Sequence, residues 1–380
     1  MPTTTAAALP TLDHPLLRPL ELAGLTLPNR VVLAPTTRCR ATGPDLVPTD
    51  RHAAYYAQRA GAGLLVTESL WVSERAIGYP GVPGLFTAAQ VAGWRRVTDL
   101  VHALGGRIVA QLWHTGAASH PDHLGGRRPA GPSAVNPRLR SFTPGGFRPT
   151  VTPRELGRAE IAGTVAEFRR ASRNAHRAGF DGVELAAHGQ YLIAQFLNPR
   201  LNRRTDAYGG SRAARRRLLL DLVAATAEPW ADRAGVGVRL APYLEPGELF
   251  TADEGQLAEL DELVGALNDH PVAYLHLRGR DVEDAGGAVA GTPDLAAIDR
   301  YRRLFHGPLI ANNGFDRDSA GVALSTGTAD AVSFARHFIA NPDLVTRLAL
   351  ARPLAAPDPE TYYTGGVHGY LDYPADGWTE

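Results

Sequence analysis

Three polar residues interrupt apolar runs in ways that suit chemistry. Gln111 sits in Arg107–His114, Arg239 in Val236–Pro242, and Thr37 just after Arg30–Thr36. A glutamine amide offers both a donor and an acceptor, and a threonine hydroxyl offers a donor. This is the mixed set that the edge of a flavin pyrimidine ring requires. An arginine beside them would stabilise negative charge developing at flavin N1 and C2=O on two-electron reduction. A second group follows two later runs, as Asn312-Asn313-Gly314 and Ala335-Arg336. Gly314 permits close backbone approach and Arg336 supplies a fixed cation, a combination suited to phosphate. Each has a plainer reading beside the functional one: a buried Gln or Thr that satisfies backbone, a turn glycine, a surface arginine.

The elements that would position these residues are read from short β-branched runs alternating with helical patterns. The strands expected are Arg30–Thr36, Gly63–Ser69, Arg107–His114, Asp181–Ala187, Val236–Pro242, Ala273–Gly279, Pro308–Gly314 and Ala331–Arg336. Being short and mostly apolar, often bounded by Gly or Pro, they suit strands buried on both faces. Helical spacing predicts Ala88–Leu104, Ile161–Ala178, Arg212–Ala227, Asp253–Leu267, Leu295–Phe305 and Pro342–Leu350, the last with Asn341 as N-cap and Pro342 at the first helical position. Such alternation predicts an α/β fold, a single (β/α)8 TIM barrel over 15–374, between a loose tail 1–14 and a short tail 375–380. A doubly wound sheet is the alternative, but no G-x-G-x-x-G follows the first strand. In a barrel, the ends of strands seven and eight make the usual phosphate cradle, and all the residues above fall at strand ends. The long excursion Thr115–Pro153 after strand three is rich in Gly, Pro, Arg and Ser and reads as a lid or substrate-recognition element.

Composition removes other chemistries. All 39 basic residues are arginine. Without lysine the chain can be neither a Schiff-base aldolase, nor a pyridoxal-phosphate enzyme, nor a P-loop nucleotidase. A formal net charge of zero argues against nucleic acid or an anionic membrane as partner. No apolar run approaches a membrane span, no His/Asp/Glu cluster has metal-ligand spacing, and Cys39 is the only cysteine. A cytoplasmic enzyme acting on a small molecule as monomer or homodimer is expected.

Seven runs carry a resemblance over nearly the whole chain. They are Leu27–Pro35 (LPNRVVLAP), Gly78–Gly84 (GYPGVPG), Ala110–Gly116 (AQLWHTG), Gln195–Pro199 (QFLNP), Asn202–Gly210 (NRRTDAYGG), Phe338–Leu344 (FIANPDL) and Gly369–Pro374 (GYLDYP). In these the chain resembles the old yellow enzyme family of FMN-dependent NAD(P)H oxidoreductases. The resemblance implies non-covalent FMN across the barrel mouth, reduced by NADH or NADPH, and reduction of the C=C bond of an enone, enal or nitroalkene. It places Pro35, Thr37 and Ser69 at the flavin, Gln111 and Arg239 on its pyrimidine side, and Asn313, Gly314, Ala335 and Arg336 at its phosphate. Thr37 stands where one branch of the family has a redox-tuning cysteine; Cys39, two residues on, is expected to be structural.

One run departs from the family. Its substrate anchor is a His-x-x-His or His-x-x-Asn pair followed two residues later by a proton-donating tyrosine. In Ala186-Ala187-His188-Gly189-Gln190-Tyr191 the tyrosine is Tyr191, but the paired positions are Ala186 and Gly189. Either a local slip brings His188 and Gln190 to the substrate, or the anchor is lost and the pocket accepts a different molecule. His188, Gln190, Trp113 and Tyr363, with His114, Arg128 and Arg148, are the candidate substrate residues. The lost pair leaves alternatives open: a flavin-dependent dehydrogenase or desaturase, a redox-neutral isomerase, or a flavin-binding protein without catalysis.

Overall fold

Eight short parallel strands pair in chain order and close on themselves. They are β1 (Val31–Leu33), β2 (Leu64–Val66), β3 (Ile108–Trp113), β4 (Gly182–Ala186), β5 (Val236–Leu240), β6 (Tyr274–Arg278), β7 (Leu309–Asn312) and β8 (Ala331–Phe334). β8 returns to β1, and the pairing of β3 with β4 completes the ring. This is a computed structural model that describes residues 13–230, 235–242, 249, 253–279, 293–363 and 366–375. Most of both expected tails lies outside these residues. The expected strands are all present but shorter.

Side chains alternate across each strand, so every second residue points into the barrel. The lower interior is apolar: Val32, Leu64, Val66, Val109, Tyr274, Ile310 and Ala331 pack with Leu22 and Leu27. Those two leucines come from an antiparallel hairpin, Leu20–Leu22 with Leu25–Leu27, that stoppers the N-terminal end. One step higher on the same faces stand Gln111, Glu184, Arg239, His276, Asn312 and Ser333, all buried. Gly237 is what admits the Tyr274 ring to this interior. A Cβ there would lie 2.2 Å from the Tyr274 ring carbon bearing the hydroxyl.

The helices α1 (Asp50–Ala57), α2 (Ala88–Ala103), α3 (Arg158–Arg177), α4 (Leu192–Leu197), α5 (Arg212–Ala227), α6 (Glu254–Leu267), α7 (Leu295–Arg302), α8 (Arg317–Ser325), α9 (Arg336–Ala340) and α10 (Leu344–Ala349) complete the architecture. A second, larger apolar cluster fills the space between strands and helices. Among the described residues no helix is long and apolar enough to cross a membrane. Helix starts follow local chemistry. Thr87 and Gln90 form a reciprocal capping box at α2, as do Asp253 and Gln256 at α6. The expectation for α10 is corrected. Its N-cap is Asp343, not Asn341, and Pro342 precedes the helix. Asn341 instead donates to His337 and Ala355 carbonyls and accepts from the Ala355 amide, joining α9 to the chain beyond α10.

The excursion after β3 is not a bare loop. It contains an antiparallel hairpin, Arg140–Thr143 with Gly146–Pro149, and a short parallel pairing of Ala130–Gly131 with Arg154–Glu155. Gln195 on α4 pins its root, accepting from the Ala117 amide and donating to the Thr115 carbonyl.

A third constraint joins the two ends of the chain. Arg38 and Arg40, just beyond β1, are buried and donate to carbonyls of the C-terminal strap: Arg38 to Tyr362 and Gly369, Arg40 to Thr361 and Tyr362. Tyr370 from the strap stacks on Tyr55 at 4.3 Å, with both guanidiniums near its ring. Glu68 lies under this clamp, accepting from the Arg38 amide, with the Nε2 of buried His52 at 3.7 Å. Burial pushes the Glu68 carboxyl up to about 7, against the Arg38 amide and the Arg38 and Arg40 charges, which pull it down.

Two outcomes are expected. Gly237→Ala overpacks the Tyr274 ring and lowers unfolding free energy by about 1–3 kcal/mol in urea titration. A carboxyl held above its ordinary value binds its proton more tightly when folded, so Glu68 contributes stability that is lost as pH rises from about 4.5 to about 7. Urea midpoints across that window should fall with pH more steeply in the wild type than in Glu68→Gln.

Candidate functional site

The polar residues of the upper barrel interior hydrogen-bond to one another. The Gln111 amide nitrogen donates to Glu184 Oε1 at 2.7 Å, and its carbonyl accepts from the Ser69 hydroxyl. Glu184 Oε2 faces His276 Nδ1 at 2.8 Å, and His276 Nε2 faces Ser333 Oγ at 2.8 Å. Asn312 donates to the Ser333 carbonyl at 3.0 Å and accepts from Arg239 Nη2 at 2.9 Å. Burial alone would raise the Glu184 carboxyl. The His276 charge and hydrogen bond, with Arg239 and Gln111, outweigh it and hold the group below the usual range.

Above this layer, at the C-terminal ends of the strands, opens a cavity of about 930 Å³, within the range of small-molecule and cofactor sites. Pro35, Thr37, Ser69, Gln111 and Arg239 line one part of it. Asn313, Gly314, Ala335 and Arg336 line another, at the ends of β7 and β8. Gly314 has φ +76°, and Asn313 has φ +88°, a conformation that asparagine tolerates better than most side chains. Cys39 does not border the cavity; its thiol is pushed up to about 12 by burial and by Glu68, which leaves it unreactive.

The run after β4 supplies the remaining wall. Ala186 ends the strand and is buried, and Gly189 takes a left-handed φ of +64°. Between them His188 borders the cavity, which Tyr191 also lines. The two rings meet edge to face at 5.7 Å. Both His188 nitrogens are shut off from solvent with no hydrogen-bond partner in the protein. Burial, then the charges of Arg239, Arg278 and His276, holds this imidazole far below its ordinary value, so it is neutral at physiological pH.

Of the other candidate substrate residues, Tyr363 lines the cavity mouth, half exposed. Trp113 and Gln190 do not border the cavity. The Trp113 ring lies behind Tyr191 at 4.6 Å, stacked on Trp71, and the Gln190 side chain bonds the Tyr79 phenol, which also bonds Tyr191. These residues therefore stand behind Tyr191, as its support. His114 is buried and accepts from the Gly116 amide, while Arg128 and Arg148 are exposed on the excursion. No residue of that excursion lines the cavity.

Several residues escaped the sequence reading. Glu184 and His276 interrupt apolar strands (Val183-Glu184-Leu185 and Leu275-His276-Leu277), and a titratable group inside a buried strand is the signal that points to them. Arg278 ends β6 as Arg239 nearly ends β5, and Tyr362 comes from the C-terminal strap. Those two carry weaker signals, a strand-end position and an aromatic pair.

The residues present fit FMN. A pyrimidine edge that alternates acceptor, donor and acceptor would find complementary groups in Gln111, Thr37 and Arg239, and the left-handed backbone at Asn313 and Gly314, with Arg336, would suit a phosphate. Comparison with known proteins agrees. Residues 15–355 match the model of the NADH:flavin oxidoreductase / NADH oxidase family. A putative 12-oxophytodienoate reductase 4 of Oryza sativa is 40% identical, over 95% of this chain and 93% of its own. Flavin oxidoreductase hxnT of Emericella nidulans is 39% identical, over 95% and 97%. Among solved structures, morphinone reductase superposes with a TM-score of 0.89 at 42% identity, covering 97% of this chain and 99% of that one. An old yellow enzyme homologue from Zymomonas mobilis gives 0.87 at 37% identity, covering 94% and 99%. The chain belongs to the NADH:flavin oxidoreductase / NADH oxidase family, as an FMN-dependent old yellow enzyme that uses NAD(P)H to reduce activated C=C bonds.

Proposed function

We propose that this enzyme reduces its alkene with a single imidazole, His188, where the family uses a paired anchor, and with Tyr191 as proton donor. The observation that carries this reading is His188, which lines the same cavity as Tyr191 and whose ring nitrogens make no hydrogen bond within the protein.

When bound at the barrel mouth, FMN would supply two-electron hydride chemistry between NAD(P)H and the alkene. Arg336 and the backbone of Asn313, Gly314 and Ala335 would hold its phosphate, and Thr37, Gln111 and Arg239 would meet its ring. The neutral His188 imidazole carries one N–H, which donates to the carbonyl or nitro oxygen and withdraws electron density from the double bond. Tyr191 hands its phenolic proton to the α-carbon, on a ring held by Trp113 and Tyr79. With one neutral donor replacing a pair, activation is weaker, so strongly polarised alkenes are favoured over simple enones. The lone, poorly reactive Cys39 suits a reducing compartment, the cytoplasm.

The test is anaerobic. Enzyme reduced stoichiometrically is mixed with 2-cyclohexenone or a nitroalkene while flavin absorbance is followed. Tyr191→Phe is expected to slow reoxidation by the enone about 10²–10⁴-fold. His188→Ala is expected to slow it about 10²–10³-fold. Reduction by NAD(P)H should be little changed in both. Wild-type reoxidation rates in His188→Ala would remove it as anchor. Wild-type flavin that stays reduced with both acceptors until oxygen enters would turn the reading toward desaturation or isomerisation.

A further inference from the structure

The polar layer beneath the cavity has a role that barrel stability does not explain. A carboxylate and an imidazole with no exposure are costly to bury, and well-packed aliphatic side chains would fill the same layer at lower cost. We infer that Glu184 and His276 are positioning residues that fix the order of donor and acceptor that Gln111 presents at the mouth and temper the charge of Arg239. This rests on the reading that FMN lies there with its pyrimidine edge on Gln111 and Arg239.

The argument is one of valence. An ionised carboxylate only accepts hydrogen bonds. Glu184 Oε1, 2.7 Å from the Gln111 amide, therefore requires the amide nitrogen on its side and forces the carbonyl toward Ser69. One N–H and one carbonyl lone pair then remain for the mouth, in a fixed order. A pyrimidine edge carrying acceptors either side of an N–H binds one order and is refused by the other. Were residue 184 neutral, the amide of Gln111 could turn over without penalty.

The second oxygen extends the constraint. Glu184 Oε2 requires a proton on His276 Nδ1, and His276 Nε2 meets the Ser333 hydroxyl. The Ser333 carbonyl and the Arg239 guanidinium set the Asn312 amide between them, since one only accepts and the other only donates. The Glu184 charge also acts on Arg239 directly, offsetting part of the positive field that favours electron-rich, reduced flavin.

The experiment compares wild-type and Glu184→Gln protein, stripped of FMN and titrated with it by flavin fluorescence, then measures the midpoint potential of the bound flavin. Losing a hydrogen bond to a charged group predicts FMN affinity about ten- to a hundredfold weaker. The midpoint potential should move positive, because Arg239 is no longer offset. A purely structural role would lower the unfolding midpoint and leave affinity and potential unchanged, and that result overturns the inference. Should Glu184→Gln not fold, Ser333→Ala carries the test. It takes the partner from His276 Nε2, and an unchanged flavin potential in that variant overturns the inference equally. Wild-type protein that binds no FMN would instead sink the site reading itself, so the two failures are distinct.

Discussion

A closed barrel leaves no strand edge exposed, but its interior must be filled, and every polar atom placed there must find a partner inside the ring. In this enzyme the lower half is filled with mostly aliphatic side chains, the Tyr274 ring and a leucine hairpin stopper. The upper half meets it with a chain of hydrogen bonds running from Ser69 through Glu184 and His276 to Asn312 and Arg239. Only the closure of β3 on β4 puts Gln111 level with Glu184. Barrel geometry and site chemistry are thus one constraint. Any change in strand register would unpair a buried charge.

The division of labour between strands and loops follows. Strand ends hold the groups that need fixed positions, while the run after β4 carries His188 and Tyr191, the side chains proposed to act on the substrate. That run tolerates change because its backbone is secured elsewhere: by Gln195, which donates to the Gln190 carbonyl, and by the aromatic stack behind Tyr191. With Ala186 and Gly189 in this run, β4 still pairs with β5 up to Ala186. On the proposed reading, substrate preference can shift here while the strand ends that line the cavity stay in place.

The sequence made much of this legible, for physical reasons. Strands buried on both faces are short apolar runs, and a parallel barrel places function at their C-terminal ends, so Gln111, Arg239 and Arg336 stood out from position alone. Glu184 and His276 did not, because their partners lie 73 and 57 residues away and meet them only once the ring closes. Asn341 next to Pro342 carried a helix-start signal, but its amide is taken by Ala355 and the helix begins two residues later. The hairpin within the excursion was hidden by its Gly and Pro content, which reads as loop when strand pairing is unseen. Trp113 carried no sign of whether it would face the cavity or back Tyr191, since both positions are apolar.

The arginine clamp on the C-terminal strap bears on how the enzyme is made. Tyr362 and Tyr363 complete the cavity wall, and their segment is held by Arg38, 324 positions earlier in the chain. During synthesis the barrel strands emerge from the ribosome well before this segment does. A nascent barrel therefore has an open-sided mouth, and the strap must leave the exit tunnel before Arg38 and Arg40 can draw it into place. The cavity wall is in this way completed only after the segment around Tyr362 has been made, long after the strands that carry the rest of the site.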